Sequence, residues 1–193
     1  MGTIFVDNLE PQSGTSLTLG ASGDTVKVAS GVTNNVGIAM SDQWRLTTDF
    51  TASDTNANNI TSNLERVDTA GQGTLGTGMT ESSGKFTFPS TGIYLVRAFG
   101  QFELNGDSRY NVIGIRLTTN NSDYNGVAQG NIFIQQTRSA GTSNQGVAET
   151  LVDVTDTTNV NVYFYTQIDN GATVKGSSTT SATCFTFIRL GDT

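Results

Sequence analysis

The sequence of 193 residues contains no histidine, one cysteine and only two prolines. Without histidine, the chain lacks the usual base for a serine or cysteine nucleophile and the commonest transition-metal ligand. We therefore expect a protein that is not an enzyme, with no catalytic residue, no metal site and no cofactor. The single cysteine, Cys184, has no partner within the chain, so we expect it to pack as a small buried hydrophobe.

Basic residues are scarce, with ten Lys and Arg against 17 Asp and Glu and a net charge of −7. Nucleic-acid affinity depends on clustered Lys and Arg, so we expect no nucleic-acid partner. No apolar run approaches the length of a membrane span, and the first residues lack the features of a secretion signal. We expect neither membrane insertion nor export by the general pathway.

Glycine, serine, threonine and asparagine are abundant, and they separate short segments in which apolar and polar residues alternate. This pattern predicts strands and turns. The longest segment, 92–104, places Tyr94, Val96, Ala98, Gly100 and Phe102 on one face. We expect a tight hairpin at Asn105-Gly106 and a flexible loop over 71–84. Further strands are predicted at 86–88, 110–117, 131–136, 147–154, 159–168 and 182–190, with weaker ones near 44–47 and 60–67. Such a series indicates a sandwich, barrel or jelly roll.

Near the N-terminus, residues 13–31 repeat one short unit in which a Ser-Gly pair precedes an alternating apolar pair. The apolar pairs are Leu17 with Leu19 and Val26 with Val28. Strands this short cannot bury an apolar pair alone. The repeat therefore predicts a short β-rich stem that is built from several chains.

Residues 84–102, GKFTFPSTGIYLVRAFGQF, resemble the globular head of complement and its tumour-necrosis-factor-like relatives. The matching residues are Phe86, Pro89, Gly92 and Tyr94. The last strand, with Phe185 and Phe187, resembles the closing strand of that family, although Phe187 replaces a glycine. The resemblance covers about residues 44–190. It implies an all-β, ten-stranded jelly roll that assembles as a homotrimer, for which the candidate interface residues are Tyr94, Phe99, Phe102, Tyr163 and Tyr165.

The opening sequence, TIFVDNLEPQSGTSLTLGASGDTV, is similar to fibre and appendage proteins of tailed bacteriophages, especially those of marine hosts. The resemblance implies three regions: a virion-docking segment at 1–12, a β-repeat stem at 13–43 and a jelly-roll head at 44–193. In the docking segment, Ile4, Val6 and Leu9 are the candidate contacts with other virion proteins. The expected location is the virion, after assembly in the host cytoplasm.

Few residue groups suggest chemistry. Two carboxylate pairs, Asp153 with Asp156 and Glu103 with Asp107, have the residue types for general acid and base catalysis of glycoside cleavage. Carboxylates at strand ends, however, are usually exposed to solvent. Asp54, Asn56, Asn58 and Glu65 have the spacing of a calcium loop, but Asn59 stands where that loop needs glycine. Asn59 and Asn120 begin glycosylation sequons that no secretory signal accompanies.

The sequence thus favours a trimeric fibre or appendage of a tailed phage, which attaches to the host surface or decorates the particle. Two loops, at residues 124–126 and 170–171, are candidate contacts with a host receptor or glycan. One alternative is a free, complement-head-like ligand-binding module. A third is a glycan-degrading tail enzyme.

Overall fold

The computed structural model describes residues 9, 13–14, 20–25, 37–51, 55–69 and 71–193. The chain divides into two units, Met1–Asn34 and Asn35–Thr193. In the first unit, Ser22-Gly23 lies in a turn that Asp24 closes, because its carboxylate accepts the Ala21 N–H at 2.7 Å. The apolar pairs of the repeat lie outside the described residues.

The second unit is an antiparallel sandwich of two sheets. Its described residues form twelve strands: β1 (Met40–Leu46), β2 (Asn58–Asn59), β3 (Leu64–Arg66), β4 (Thr80–Ser82), β5 (Lys85–Thr87), β6 (Gly92–Leu104), β7 (Ser108–Thr118), β8 (Asn125–Ile134), β9 (Thr142–Val154), β10 (Asn161–Ile168), β11 (Thr173–Val174) and β12 (Cys184–Gly191). In the first sheet, β11 and β12 pair with successive parts of one edge of β6, and β9 pairs with its other edge. Strand β1 then pairs with β12, and β3 pairs with β1. The second sheet has the order β4-β5-β10-β7-β8, and β2 also pairs with β10. The predicted all-β sandwich is therefore confirmed.

An aromatic cluster joins the two sheets at the centre of the core. Phe86 of β5 lies 5.4 Å from Phe164, 6.2 Å from Phe185 and 5.2 Å from Phe187, measured between ring centroids. Phe164 and Phe185 stack face to face across the sandwich at 4.0 Å. Because aromatic side chains bury large areas, this cluster supplies much of the apolar contact between the sheets.

The residues that carry the family resemblance surround this cluster. Tyr94 is fully buried against Phe88 at 4.7 Å, and its hydroxyl donates to the Ser90 carbonyl at 3.0 Å. Pro89 lies in the short turn before β6. Gly92 has a φ of 140°, and an added Cβ would lie 2.5 Å from the Gly191 carbonyl oxygen, so only glycine fits there.

Three predictions of local structure need correction. Strands β6 and β7 belong to different sheets, so Asn105-Gly106 crosses the sandwich instead of forming a hairpin. The predicted loop 71–84 includes β4, which pairs with β5 through a tight turn at Ser83 and Gly84, both with positive φ. The predicted start of the jelly roll at residue 44 is too late, because β1 begins at Met40 and pairs with β12.

Candidate functional site

The outer surface of the first sheet carries a row of apolar side chains. Leu95 of β6 lies between Leu151 of β9 and Ile188 of β12. Ile188 pairs with Ser41 of β1, and Ser41 in turn forms an isolated bridge with Leu75. Leu151 is 62% exposed and Leu75 is also exposed. Leu95, Leu151 and Ile188 alternate with core residues along their strands, so these side chains point out of the sandwich. Leu75 is paired in the same register at the end of the row.

A second apolar row runs parallel to the first. Phe99 of β6 lies between Val147 of β9, which is exposed, and Cys184 of β12. Burial raises the pKa of the half-buried Cys184 thiol, and nearby Arg97 offsets part of that effect. We call the two rows together the apolar face and define it by Leu75, Leu95, Phe99, Val147, Leu151 and Ile188.

A polar row separates the two apolar rows. Arg97 lies between Glu149 and Thr186 in the register of the sheet. Thr186 accepts a hydrogen bond from the Gln43 amide at 3.0 Å. Arg97 and Glu149 are both exposed, so the apolar face carries one cation and one anion at its middle.

The edge of the second sheet exposes two apolar side chains near opposite ends of one strand. Strand β8 forms this edge, and its Val127 and Phe133 point outward, with Phe133 63% exposed. We call these two residues the edge patch. The sandwich therefore presents two different apolar surfaces to solvent.

The outer surface of the second sheet has a different chemistry, because four of the five tyrosines of the chain lie on or beside it. Tyr165 lies under the Arg116 guanidinium at 5.0 Å and donates to the Gln129 amide oxygen at 3.2 Å. Its ring covers Gly114, where an added Cβ would lie 2.3 Å from the ring. Tyr124 packs edge-to-face on Tyr163 at 4.8 Å. Burial raises the pKa of both Tyr124 and Tyr165.

The five predicted interface residues do not share one surface. Phe99 lies on the apolar face, whereas Tyr94 and Phe102 are fully buried in the core of a single chain. Tyr163 and Tyr165 lie on the opposite sheet. The predicted set therefore needs correction for Tyr94 and Phe102, which have no surface to offer a partner, and for Tyr165, which is buried beneath Arg116. The aliphatic residues of the apolar face were not predicted as interface residues. Apolar residues at both odd and even positions of 92–104 do indicate a strand with two apolar faces.

Three of the four carboxylates in the predicted pairs are engaged in separate local contacts. Asp156 accepts hydrogen bonds from the Thr158 N–H and hydroxyl, and these lower its pKa. Glu103 lies 3.6 Å from the Lys175 amine, whereas Asp107 accepts the Gln136 N–H at 2.7 Å. Such contacts fix turns and strand ends and do not form an acid and base pair.

The predicted calcium loop is divided among different elements. Asp54 lies outside the described residues, Asn58 pairs within the second sheet, and Glu65 forms a 2.5 Å ion pair with buried Arg45. Asn56 lies just before β2. Within the described ranges, no three His, Cys, Asp or Glu side chains come together as a metal site would require.

The remaining candidates have local roles or lie outside the described residues. The Asn59 side-chain oxygen accepts a hydrogen bond from Arg116 at 2.7 Å, and Asn120 accepts the Asp123 N–H at 2.9 Å. Of the candidate docking residues, Leu9 is half exposed, and Ile4 and Val6 are not described. The part of the chain that the structure describes contains no helix of the length and apolarity that a bilayer crossing needs.

Solved structures with the same architecture include two tumour-necrosis-factor-like proteins. Murine APRIL at pH 5.0 is 10% identical, with a TM-score of 0.55 over 78% of this chain and 98% of the other. The Eiger TNF of S. frugiperda is 12% identical, with a TM-score of 0.56 over 81% of this chain and 95% of the other. No family model matches the sequence, and no curated protein matches it either. The fold of the head is thus a tumour-necrosis-factor-like jelly roll.

Proposed function

We propose that the protein is a non-catalytic binding module that assembles as a homotrimer through the apolar face. The observation that carries this proposal is the pair of apolar rows on the first sheet, in which half-buried Leu95 and Phe99 are flanked by the exposed residues Leu151 and Val147. Several apolar side chains exposed together on one sheet mark a surface that binds a partner. A second copy of the chain is the occupant that we infer.

Cyclic symmetry accounts for the presence of two different apolar surfaces. In a ring of three subunits each contact is heterologous, so one surface of a subunit meets a different surface of the next. The apolar face and the edge patch supply two such surfaces on the first and second sheets. Fully burying a large apolar side chain contributes about 1.5–3 kcal/mol, so residues such as Leu151 and Phe133 gain most from this contact.

The polar row gives the contact its direction. Arg97 and Glu149 stand opposite each other at the middle of the apolar face. Charges inside an interface disfavour wrong registers more than they add affinity. A partner surface fits this arrangement if it is polar at its centre and apolar on either side. A uniformly apolar partner would leave Arg97 and Glu149 without polar contacts across the interface.

A more specific proposal is that the trimer is an appendage of a tailed-phage virion. It is supported by the resemblance of the first residues to phage fibre proteins, with Ile4, Val6 and Leu9 as candidate docking contacts. Deletion of residues 1–12 is expected to leave the head folded and trimeric but to abolish its incorporation into particles, measured by immunoblotting of purified virions. Incorporation at the level of the full chain would contradict the docking role.

A free ligand-like module is the second candidate. It is favoured by the likeness of the head to solved structures of APRIL and of a TNF. A free module does not need the first unit to find its partner. Loss of particle incorporation after the deletion therefore favours the appendage, and unchanged binding to cells in the absence of any particle favours the free module.

The assembly proposal is tested by placing a charge on the apolar face. Leu95→Asp and Leu151→Asp are expected to reduce the molar mass in light scattering from three chains to one. Thr80→Asp is the control, because Thr80 is exposed on the outer surface of the second sheet. Trimers in all three variants, with unchanged circular dichroism, would contradict the assignment of the interface.

A further inference from the structure

A small depression lies where β7 begins and β10 ends. It has a volume of about 280 Å³ and is lined by Thr55, Arg109, Tyr110 and Asp169. Sites for drug-sized ligands usually span roughly 300–1,000 Å³, so this depression suits a single ring. It lies next to the Asn170-Gly171 turn, and Asn170 fixes that turn by donating to the Asp107 carbonyl at 2.7 Å.

The lining residues are held in place by their neighbours. The Tyr110 hydroxyl donates to the Gln167 side-chain oxygen at 3.0 Å, and the Gln167 amide donates to the Thr55 carbonyl at 3.0 Å. The Asp169 N–H donates to the Tyr110 carbonyl at 2.9 Å. The aromatic ring and the backbone of Asp169 are therefore positioned before a ligand arrives, which lowers the entropic cost of binding.

Donors and acceptors stand side by side in the depression. The Arg109 Nε donates to an Asp169 carboxylate oxygen at 3.2 Å, while the Arg109 side chain is 92% exposed. The outer guanidinium N–H groups remain turned toward water as donors, and the carboxylate offers further acceptor positions. Two neighbouring hydroxyl groups of a sugar need this combination of one donor and one acceptor.

The charge of the site and of the chain selects among ligands. A phosphate or sulfate would meet the Asp169 carboxylate and a chain of net charge −7. A wholly apolar ligand would leave the Arg109 and Asp169 pair desolvated without compensation. A neutral ring with polar edges and an apolar C–H face avoids both penalties, since the C–H face can lie on Tyr110.

We propose that this depression binds one ring of a neutral saccharide. Tyr110 supplies the platform for the C–H face, and Arg109 with Asp169 binds adjacent hydroxyls. The inference rests on the proposed binding role, for which it names the class of ligand. The depression is built from the second sheet and its flanking segments, so each subunit of the trimer carries its own copy. Arg109 also lines a neighbouring depression with Phe133 of the edge patch, so the site borders the proposed contact between subunits. Three weak sites on one rigid body give useful avidity.

The test uses the full chain and saturation-transfer NMR with the methyl glycosides of glucose, galactose, mannose and N-acetylglucosamine. We expect at least one glycoside to give transfer signals from its ring protons. Arg109→Ala and Tyr110→Ala are each expected to weaken that binding at least tenfold. Tyr110→Phe keeps the ring and is expected to retain binding. Lys175→Ala, which breaks a different surface ion pair, is the matched control.

Two results would overturn the proposal: no transfer to any of the four glycosides, or transfer that persists in both Arg109→Ala and Tyr110→Ala. The fully exposed Arg109 keeps the test valid if Tyr110→Ala does not fold. Inorganic phosphate serves as the anion probe, and its binding in place of the glycosides would also count against the proposal. Trimeric mass without glycoside binding removes this inference alone, whereas monomeric mass removes the assembly proposal.

Discussion

At the scale of single residues, Tyr165 links packing to protonation. Its ring lies on Gly114 and under Arg116, and burial raises the pKa of its hydroxyl while Arg116 partly lowers it. An acid whose pKa is raised by folding stabilises the fold at a pH below its ordinary value of about 10 and loses that contribution as pH rises through the raised pKa.

Replacement of Tyr165 by phenylalanine separates these effects. At neutral pH, Tyr165→Phe is expected to lose the hydrogen bond to Gln129, about 0.5–1.5 kcal/mol of unfolding free energy. Between about pH 9 and pH 11, the wild-type protein should lose stability faster than the variant, so the difference shrinks. Urea unfolding at several pH values in this range measures the difference in unfolding free energy between the two proteins. Parallel pH profiles for the wild type and the variant would show that the Tyr165 hydroxyl does not titrate with unfolding.

Residue by residue, the sequence is informative about the core and less so about the surface. Most of the residues that carry the family resemblance, such as Phe86, Tyr94 and Phe185, are buried, and their spacing could be recognised from the sequence. All five residues of the predicted trimer interface are aromatic, and two of them belong to the core. The parity of a residue in a strand shows which neighbours share its face, but not which face turns inward.

At the scale of elements, Asp42 connects β1 to the segment before β4. Its buried carboxylate accepts hydrogen bonds from Trp44 at 3.0 Å, Thr74 at 3.1 Å and the Met79 N–H at 2.8 Å. Arg66 adds an ion pair at 3.1 Å. These contacts fix residues 74–79 over one end of the sandwich.

Asp42→Ala is expected to destabilise the protein by about 1–3 kcal/mol, since it leaves the buried Met79 N–H without its acceptor. Arg66 is partly exposed and can hydrate, which limits the loss. Hydrogen exchange of the Met79 amide should accelerate more than that of β6. Asp49→Ala, which breaks an exposed pair with Lys175, is the control and should cost at most about 1 kcal/mol. Equal costs for the two variants would contradict the role of Asp42.

The strands themselves were largely predictable, and their partners were less so. The predicted strand 92–104 coincides with β6, because its apolar alternation is long and uninterrupted. The Asn105-Gly106 pair correctly indicated a turn, but a dipeptide does not report whether the next strand continues in the same sheet. Strand β4 was missed because its three residues are polar, and pairing with β5 defines it.

At the scale of the whole molecule, the two outer surfaces of the sandwich have different compositions. The first sheet presents aliphatic rows, and the second presents tyrosine, amide and arginine side chains. Assembly through the apolar face and the edge patch on β8 leaves the tyrosine-bearing outer surface of the second sheet available for ligands. This division follows from one alternating pattern, because each strand gives one face to the core and the other to solvent.

The central claim is that the chain assembles as a closed trimer through the apolar face. Light scattering of the full-length protein, coupled to size-exclusion chromatography over a hundredfold range of concentration, tests it most directly. The account predicts a constant molar mass of three times the 20.4 kDa chain. A mass of one chain, or of two, at every concentration would contradict it.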